Sequence, residues 1–285
     1  MPDDALVSQA LESQAQVDLG ARQYDAAEKG LRKALQMHIA ATGELHPGTA
    51  ELLNELGSLE YLRGRPAAAA EYFRRTLAID RKVLGDSHPD VATTINNLAR
   101  VELEQRHFEQ ARALLQQALD ARAKEIPDTE QVMAFFFSNL AIANMELGDY
   151  SQARALFERA LRTAVLTKHR LHAPILTDMA ELDCRTGGVA DALELLRQAR
   201  PIMAAAYPDD PWRSALIDNV EGGCLTAQKH YAEAARAIDS SLPVLLKKWP
   251  PTSLYGYDAL ARAARLYSLT DDQVRLARLK KLTAP

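Results

Sequence analysis

Cysteine is almost missing from this 285-residue sequence: Cys184 and Cys224 are the only two. Both are expected to be packed thiols, left free in a reducing cytosol, rather than nucleophiles. No run of 18 apolar residues occurs, so no membrane-spanning helix is expected. Positive charge is not in excess, since 34 Lys and Arg stand against 38 Asp and Glu for a net charge of −4. Such a chain has little with which to neutralise phosphates, so nucleic acid is not expected as a partner. Strand signals are missing too: β-branched residues are scattered and never alternate over a useful run. No glycine-rich phosphate loop, nucleophile elbow or His-Glu-x-x-His motif appears, so the chain is not expected to be an enzyme or to carry a cofactor. The seven histidines lack a zinc-type set of Cys or carboxylate neighbours, and no metal is expected. The opening Met-Pro-Asp-Asp is acidic and leads into an amphipathic helix, unlike a signal peptide. The expected location is cytoplasmic.

What the sequence has is a period. Tyr24, Pro66, Phe108, Tyr150, Val189 and Tyr231 recur at a spacing of about 42 residues, and each opens the second helix of a pair. Three residues after each stands alanine: Ala27, Ala69, Ala111, Ala153, Ala192 and Ala234. Nine residues before each the residue is small: Ala15, Gly57, Ala99, Ala141, Ala180 and Gly222. Small residues at fixed offsets mark places where helices press together, because a larger side chain would overpack the contact. A period of this size predicts a stacked array rather than one closed core.

Each repeat reads as helix A, a short turn, helix B and a loop. In the third repeat the pattern predicts helix A over 91–105, a turn at Arg106-His107 and helix B over 108–124. Gly43 and Gly85 are expected to end B helices in the left-handed conformation, with Pro47 and Pro89 starting the next ones. Later loops vary, at Ile126-Pro127-Asp128, His172-Ala173-Pro174, 208–211 and 249–251. The expectation is one domain over 1–285, with repeats at about 5–45, 47–87, 89–126, 128–170, 171–208 and 210–249. A degenerate seventh pair over 251–282 covers the last apolar face as a cap.

Leu147-Gly148-Asp149-Tyr150-Ser151-Gln152-Ala153, followed by Ala160-Leu161, resembles the tetratricopeptide repeat. The longer period, and the stretch from Ala78 through Leu84-Gly85-Asp86-Ser87-His88-Pro89 to Asn96-Asn97-Leu98-Ala99, is similar to the repeats of kinesin light chains. No heptad coiled coil for a motor heavy chain accompanies them. Arrays of this length also look like accessory regions of bacterial signalling proteins, including Ser/Thr kinases, and the Ala- and Arg-rich composition fits that source. The resemblance implies an all-α, right-handed solenoid of stacked antiparallel helix pairs. It also implies a protein–protein interaction scaffold whose A helices line a concave groove for an extended peptide or partner helix. The alternatives are a peptide-sensing regulatory domain of a larger chain, such as one fused to a Ser/Thr kinase, and a self-associating scaffold.

Positions eleven and twelve before each B-helix start are expected at the groove or its edge. Among the residues there are Asn54, Asn96, Asn97, Asn139 and Asp178, with Glu55 and Val220 also in the column. A carboxamide donates and accepts, so it can hold a peptide backbone without reading side chains. In the kinesin-light-chain pattern the second Asn of Asn-Asn-Leu-Ala is a ligand contact, which the resemblance carries to Asn97 and Asn139. Arg100, Glu104, Glu146 and Glu181 share this outlook, as does Arg185. Phe135 is expected to face the groove as an apolar anchor, with Phe136 and Phe137 packed. The face tends acidic, which favours a protein or peptide partner carrying Lys or Arg. A clamp for a C-terminal carboxylate would need more cations than Arg100 and Arg185. The chain is expected to be a monomer or weak homo-oligomer, off the membrane.

Overall fold

In the computed structural model, residues 2–21, 23–122 and 132–282 are described. Among them are fourteen α-helices and no strand. In chain order they are α1 (Pro2–Gly20), α2 (Tyr24–Thr42), α3 (Pro47–Leu62), α4 (Pro66–Leu84), α5 (Pro89–Glu104), α6 (Phe108–Arg122) and α7 (Met133–Glu146). Then follow α8 (Tyr150–Leu166), α9 (His172–Thr186), α10 (Val189–Ala206), α11 (Pro211–Ala227), α12 (Tyr231–Lys248), α13 (Leu254–Leu269) and α14 (Gln273–Leu282). Odd-numbered helices are the A helices, and even-numbered ones the B helices. Every B helix from α2 to α12 starts at the residue the period singles out. The Ile126-Pro127-Asp128 loop lies outside the described residues.

The packing explains the small residues. Ala15, Ala99, Ala141 and Ala180 are completely buried, as are all six alanines three residues into the B helices. Opposite the small position, seven residues into each B helix, stands a large core side chain: Leu31, Phe73, Leu115, Phe157, Leu196 or Ile238. At Gly57 a Cβ would lie 2.6 Å from the Phe73 ring, and at Gly222 a Cβ would lie 2.6 Å from Ile238. These two glycines admit the large partner that the alanine repeats accommodate less closely.

The turn between helices A and B is also set by position. Two residues before the B helix the backbone has positive φ, at Gly64 (73°), Arg106 (63°), Gly148 (85°), Gly187 (93°), Lys229 (64°) and Asp271 (52°). Three repeats meet this demand with glycine, while three hold an L side chain in a conformation that favours glycine. Asp271 extends the series into α13 and α14, so the seventh pair is in register with the rest. Gly43 and Gly85 also have positive φ, of 87° and 85°, but their ψ values are 173° and 158°. That is an extended glycine-only conformation and not the left-handed helical one expected of them. The following His-Pro has a capping role: His46 Nδ1 accepts from Gly48 N at 3.1 Å, and His88 Nδ1 accepts from Asp90 N at 3.2 Å. Proline fills the first helical turn at α3, where its missing N–H costs nothing.

The described chain divides into two compact units. One comprises residues 1–102 and 110–126, and its core holds Ala15, Leu31, Leu52, Leu56 and Leu59. The other comprises 103–109 and 127–285. In that second unit α9, α11 and α13 stack in order, with α10 and α12 packed between them on one side. The cap α14 buries Leu279 in the same core, which Leu276 joins from its edge.

The cysteines differ from the expectation of free thiols. Cys184 on α9 and Cys224 on α11 form a disulfide, with Cα atoms 5.4 Å apart. They stand five and seven residues before successive B helices, and α9 and α11 are packed neighbours. Residues 40 apart in sequence therefore meet, because the repeat length nearly cancels the separation.

Candidate functional site

Positions 15, 11, 8 and 4 residues before each B helix share one face of the A helix, since they are one helical turn apart. In the second unit this face carries Phe135, Asn139 and Glu146 on α7, Asp178, Glu181 and Arg185 on α9, and Asp258 and Arg262 on α13. The charged residues converge. Arg185 reaches Glu146 at 2.8 Å, Glu181 at 2.7 Å and Asp258 at 3.5 Å. Arg262 pairs with Glu181 at 2.7 Å and donates to Asn219 Oδ1 at 3.0 Å. Arg106 approaches Asp258 at 3.7 Å and stacks 3.5 Å above the Tyr257 ring centroid. Removing one member of such a buried set leaves an uncompensated charge, which typically costs about 3–5 kcal/mol.

Between these groups lies a small cavity of about 30 Å³, lined by Ile142, Met145, Leu216, Val220, Leu254 and Tyr255 with the charged residues. It has room for a water-sized group or two. Four carboxylates line it, from Glu146, Asp178, Glu181 and Asp258, against the one guanidinium of Arg262; Arg185 pairs with Glu146, Glu181 and Asp258 without lining the cavity. Burial raises the pKa of Glu181, but Arg262 and Arg185 outweigh it and hold the carboxyl below its ordinary value. Burial likewise works against the charge of Arg185, and Glu181, Glu146 and Asp258 overcome it. Glu146 and Asp258 both sit above their ordinary values, through burial first, which the neighbouring arginines only partly offset.

Asp178 is the exception in this set. Among the described residues it forms no ion pair and accepts no hydrogen bond. Burial, reinforced by Glu181 and only partly offset by Arg213, pushes its pKa up to about 7. An acid of this kind gains from any cation brought next to it.

The other candidate residues fall into place as follows. Asn139 and Glu104 are buried, and Phe135 is half-buried. Phe135 packs edge-on against His169 with ring centroids 4.9 Å apart, while Phe136 and Phe137 are in the core. In the first unit, Asn97 Nδ2 donates to Asn54 Oδ1 at 3.0 Å, tying α5 to α3. Asn96, one position earlier, is buried. Arg100 lies 4.1 Å above the Tyr61 ring centroid. Gln16 donates to Glu55 at 2.5 Å, and burial raises the Glu55 pKa.

Sequence reasoning missed Asp258 and Arg262, because it treated 251–282 as a cap without positions of its own. The signal was there. One period beyond Tyr231 is Gln273, and Arg262 stands eleven residues before it, in the column of Asn97, Asn139 and Asp178. Also missed were Trp212, Trp249 and Tyr255, which form an aromatic cluster with ring centroids 5.3–5.8 Å apart beside the cavity. Neither tryptophan occupies a repeated position. No group of three or more potential metal ligands occurs among the described residues, and no helix there is long and apolar enough to cross a membrane.

Comparison with known proteins gives the arrangement its context. No curated protein matches the sequence. Among solved structures, aspartyl phosphate phosphatase F from Bacillus subtilis is similar with a TM-score of 0.70 at 15% identity, over 99% of this chain and 72% of that one. A Rap protein complexed with Competence and Sporulation Factor gives a TM-score of 0.64 at 16% identity, over 96% and 77%. Kinesin-light-chain TPR-like repeats from Podosopora anserina give 0.53 at 22% identity, over 71% and 97%. At these identities the likeness is one of fold, the right-handed α-solenoid of helix pairs. The tetratricopeptide repeat profile itself matches residues 6–82, 71–124 and 133–205. With most of its length so matched, the chain belongs to the tetratricopeptide repeat family.

Proposed function

We propose that the chain is a cytoplasmic interaction module of a signalling system, and that the A-helix face of its second unit takes an extended segment of a protein partner with a Lys or Arg at Asp178. The observation that carries this reading is Asp178, a carboxylate lining the cavity that forms no ion pair and accepts no hydrogen bond among the described residues. The other carboxylates there already share Arg185, Arg262 and Arg106, so a ligand's cation is drawn to the one that does not. Asn139 and Phe135, on the same face of α7, would serve the segment's backbone and an apolar side chain. In the first unit Asn97 and Asn54 offer the same carboxamide chemistry. Family membership supports a scaffold role, and the Rap protein solved with Competence and Sporulation Factor is a fold relative that holds a ligand.

An array of ten-residue peptides, each with one Lys, Arg, Glu or Ala at a fixed central position, tests this. Binding is expected for the Lys and Arg peptides, weakened about tenfold by Asp178→Asn, the scale of one charge-assisted contact. Equal binding of Glu and Lys peptides, or no effect of Asp178→Asn, would overturn the reading.

A further inference from the structure

The geometry points to Cys184 and Cys224 as a reversible thiol–disulfide lock that fastens α9 to α11 and thereby sets the spacing of the charged face. The ligand part of this inference rests on the function proposed above; the lock itself does not.

The two sulfurs stand at a sensitive place. Cys184 directly precedes Arg185, whose guanidinium gathers Glu146, Glu181 and Asp258. Cys224 directly follows Gly223, where a Cβ would lie 2.9 Å from Arg262 Cδ. The bond thus joins α9 and α11 beside both arginines that hold Glu181. Nothing competes with it, because the chain has no other cysteine. The Cα separation of 5.4 Å lies within the span a disulfide bridges without moving the backbone. Cys224 is fully buried while Cys184 is partly exposed, so a small reagent meets Cys184 first.

The exchange balances with a low-molecular-weight disulfide such as oxidised glutathione. The Cys184 thiolate attacks one sulfur of the reagent, forming a mixed disulfide and releasing one small thiol. The Cys224 thiolate then attacks the Cys184 sulfur, and the second small thiol leaves. The protein loses two electrons and two protons, and the reagent gains them. Reduction by excess small thiol runs the same steps backwards. With the bond closed, α9 and α11 hold Asp178 and the arginine fork in one arrangement, and less ordering remains to be done when a ligand binds. With the bond open, the two helices are held by packing and by Arg262, which bridges Glu181 on α9 and Asn219 on α11.

The full chain should be equilibrated over a range of reduced to oxidised glutathione. It is then read by thiol alkylation with intact mass, by amide hydrogen exchange in α9 and α11, and by affinity for a Lys-centred peptide. One two-electron transition is expected. The oxidised form should exchange α9 and α11 amides more slowly, melt several degrees higher and bind the peptide several-fold more tightly. Cys184→Ser and Cys224→Ser should behave like the reduced form at every ratio. If both cysteines stay alkylatable in excess oxidised glutathione, or if exchange in α9 and α11 is the same in both states, the lock is refuted. If neither state binds any basic peptide, the proposed function fails, and the exchange measurement alone decides the lock. If exchange changes with redox state but affinity does not, the lock stands as a structural clamp and its control of the face is refuted.

Discussion

Asp178 links the charged face to pH. Its unfolded carboxyl ionises near its ordinary value of 3.8, while the folded one ionises at about 7. Between those values the folded state binds the extra proton, so stability falls as pH rises through that window. Asp178→Asn keeps the shape and removes the charge. The variant should lose this component of the slope and be more stable than wild type at pH 8, by on the order of 1–3 kcal/mol once partial solvent access is allowed for. Urea melts of both proteins at pH 5 and pH 8 check it; parallel pH profiles would show that Asp178 is not strained. At this scale the columns alone were enough to place Asp178, Glu181 and Glu146 on the candidate face. What could not be read was which carboxylate lacks a partner. That depends on Arg262, which comes from two A helices further on and has no nearest-neighbour relation to Glu181.

At the scale of elements, the turns and the cap carry the tests. Lys229 holds the positive φ that Gly148 and Gly187 hold in equivalent turns. Replacing it by glycine removes the clash of Cβ in that conformation, against the larger entropy glycine gives the unfolded chain. Lys229→Gly is expected to be stabilising by about 0.5–1 kcal/mol, read as a rise in Tm; a fall would mean that the lysine side chain contributes more than its backbone costs. The cap works through burial. Leu279 is in the core, and Arg275 of α14 reaches Asp239 of α12 at 2.7 Å. Deleting 271–285 should cost about 2–4 kcal/mol for the leucines it uncovers and give larger species in size-exclusion chromatography. A deletion variant that stays monomeric and melts like wild type would make α14 a tail. B-helix starts were legible almost to the residue, because tyrosine, proline, phenylalanine and valine open them on a count of about 42 that shortens once, before Val189. The glycines of the B-to-A loops were legible as stops but not in conformation: positive φ follows from glycine, whereas ψ depends on how His46 and His88 cap the next helix.

For the whole molecule, the period explains why the fold was legible and the partner was not. A repeat fixes what each helix pair packs against, through its small, alanine and large-apolar columns. It leaves other columns unconstrained, and one of them, eleven residues before each B helix, holds Glu55, Asn97, Asn139, Asp178, Val220 and Arg262 in turn. The proposed recognition would depend on residues of this kind, which the period does not set. The central claim is that Asp178 waits for a cation, and proton release measures this directly. Calorimetric titration of a Lys-centred peptide at pH 7, repeated in buffers of different ionisation enthalpy, counts protons released per peptide bound. With Asp178 titrating at about 7, about half a proton should leave on binding, and Asp178→Asn should abolish the release. Binding without proton release, or release that persists in Asp178→Asn, would contradict the account.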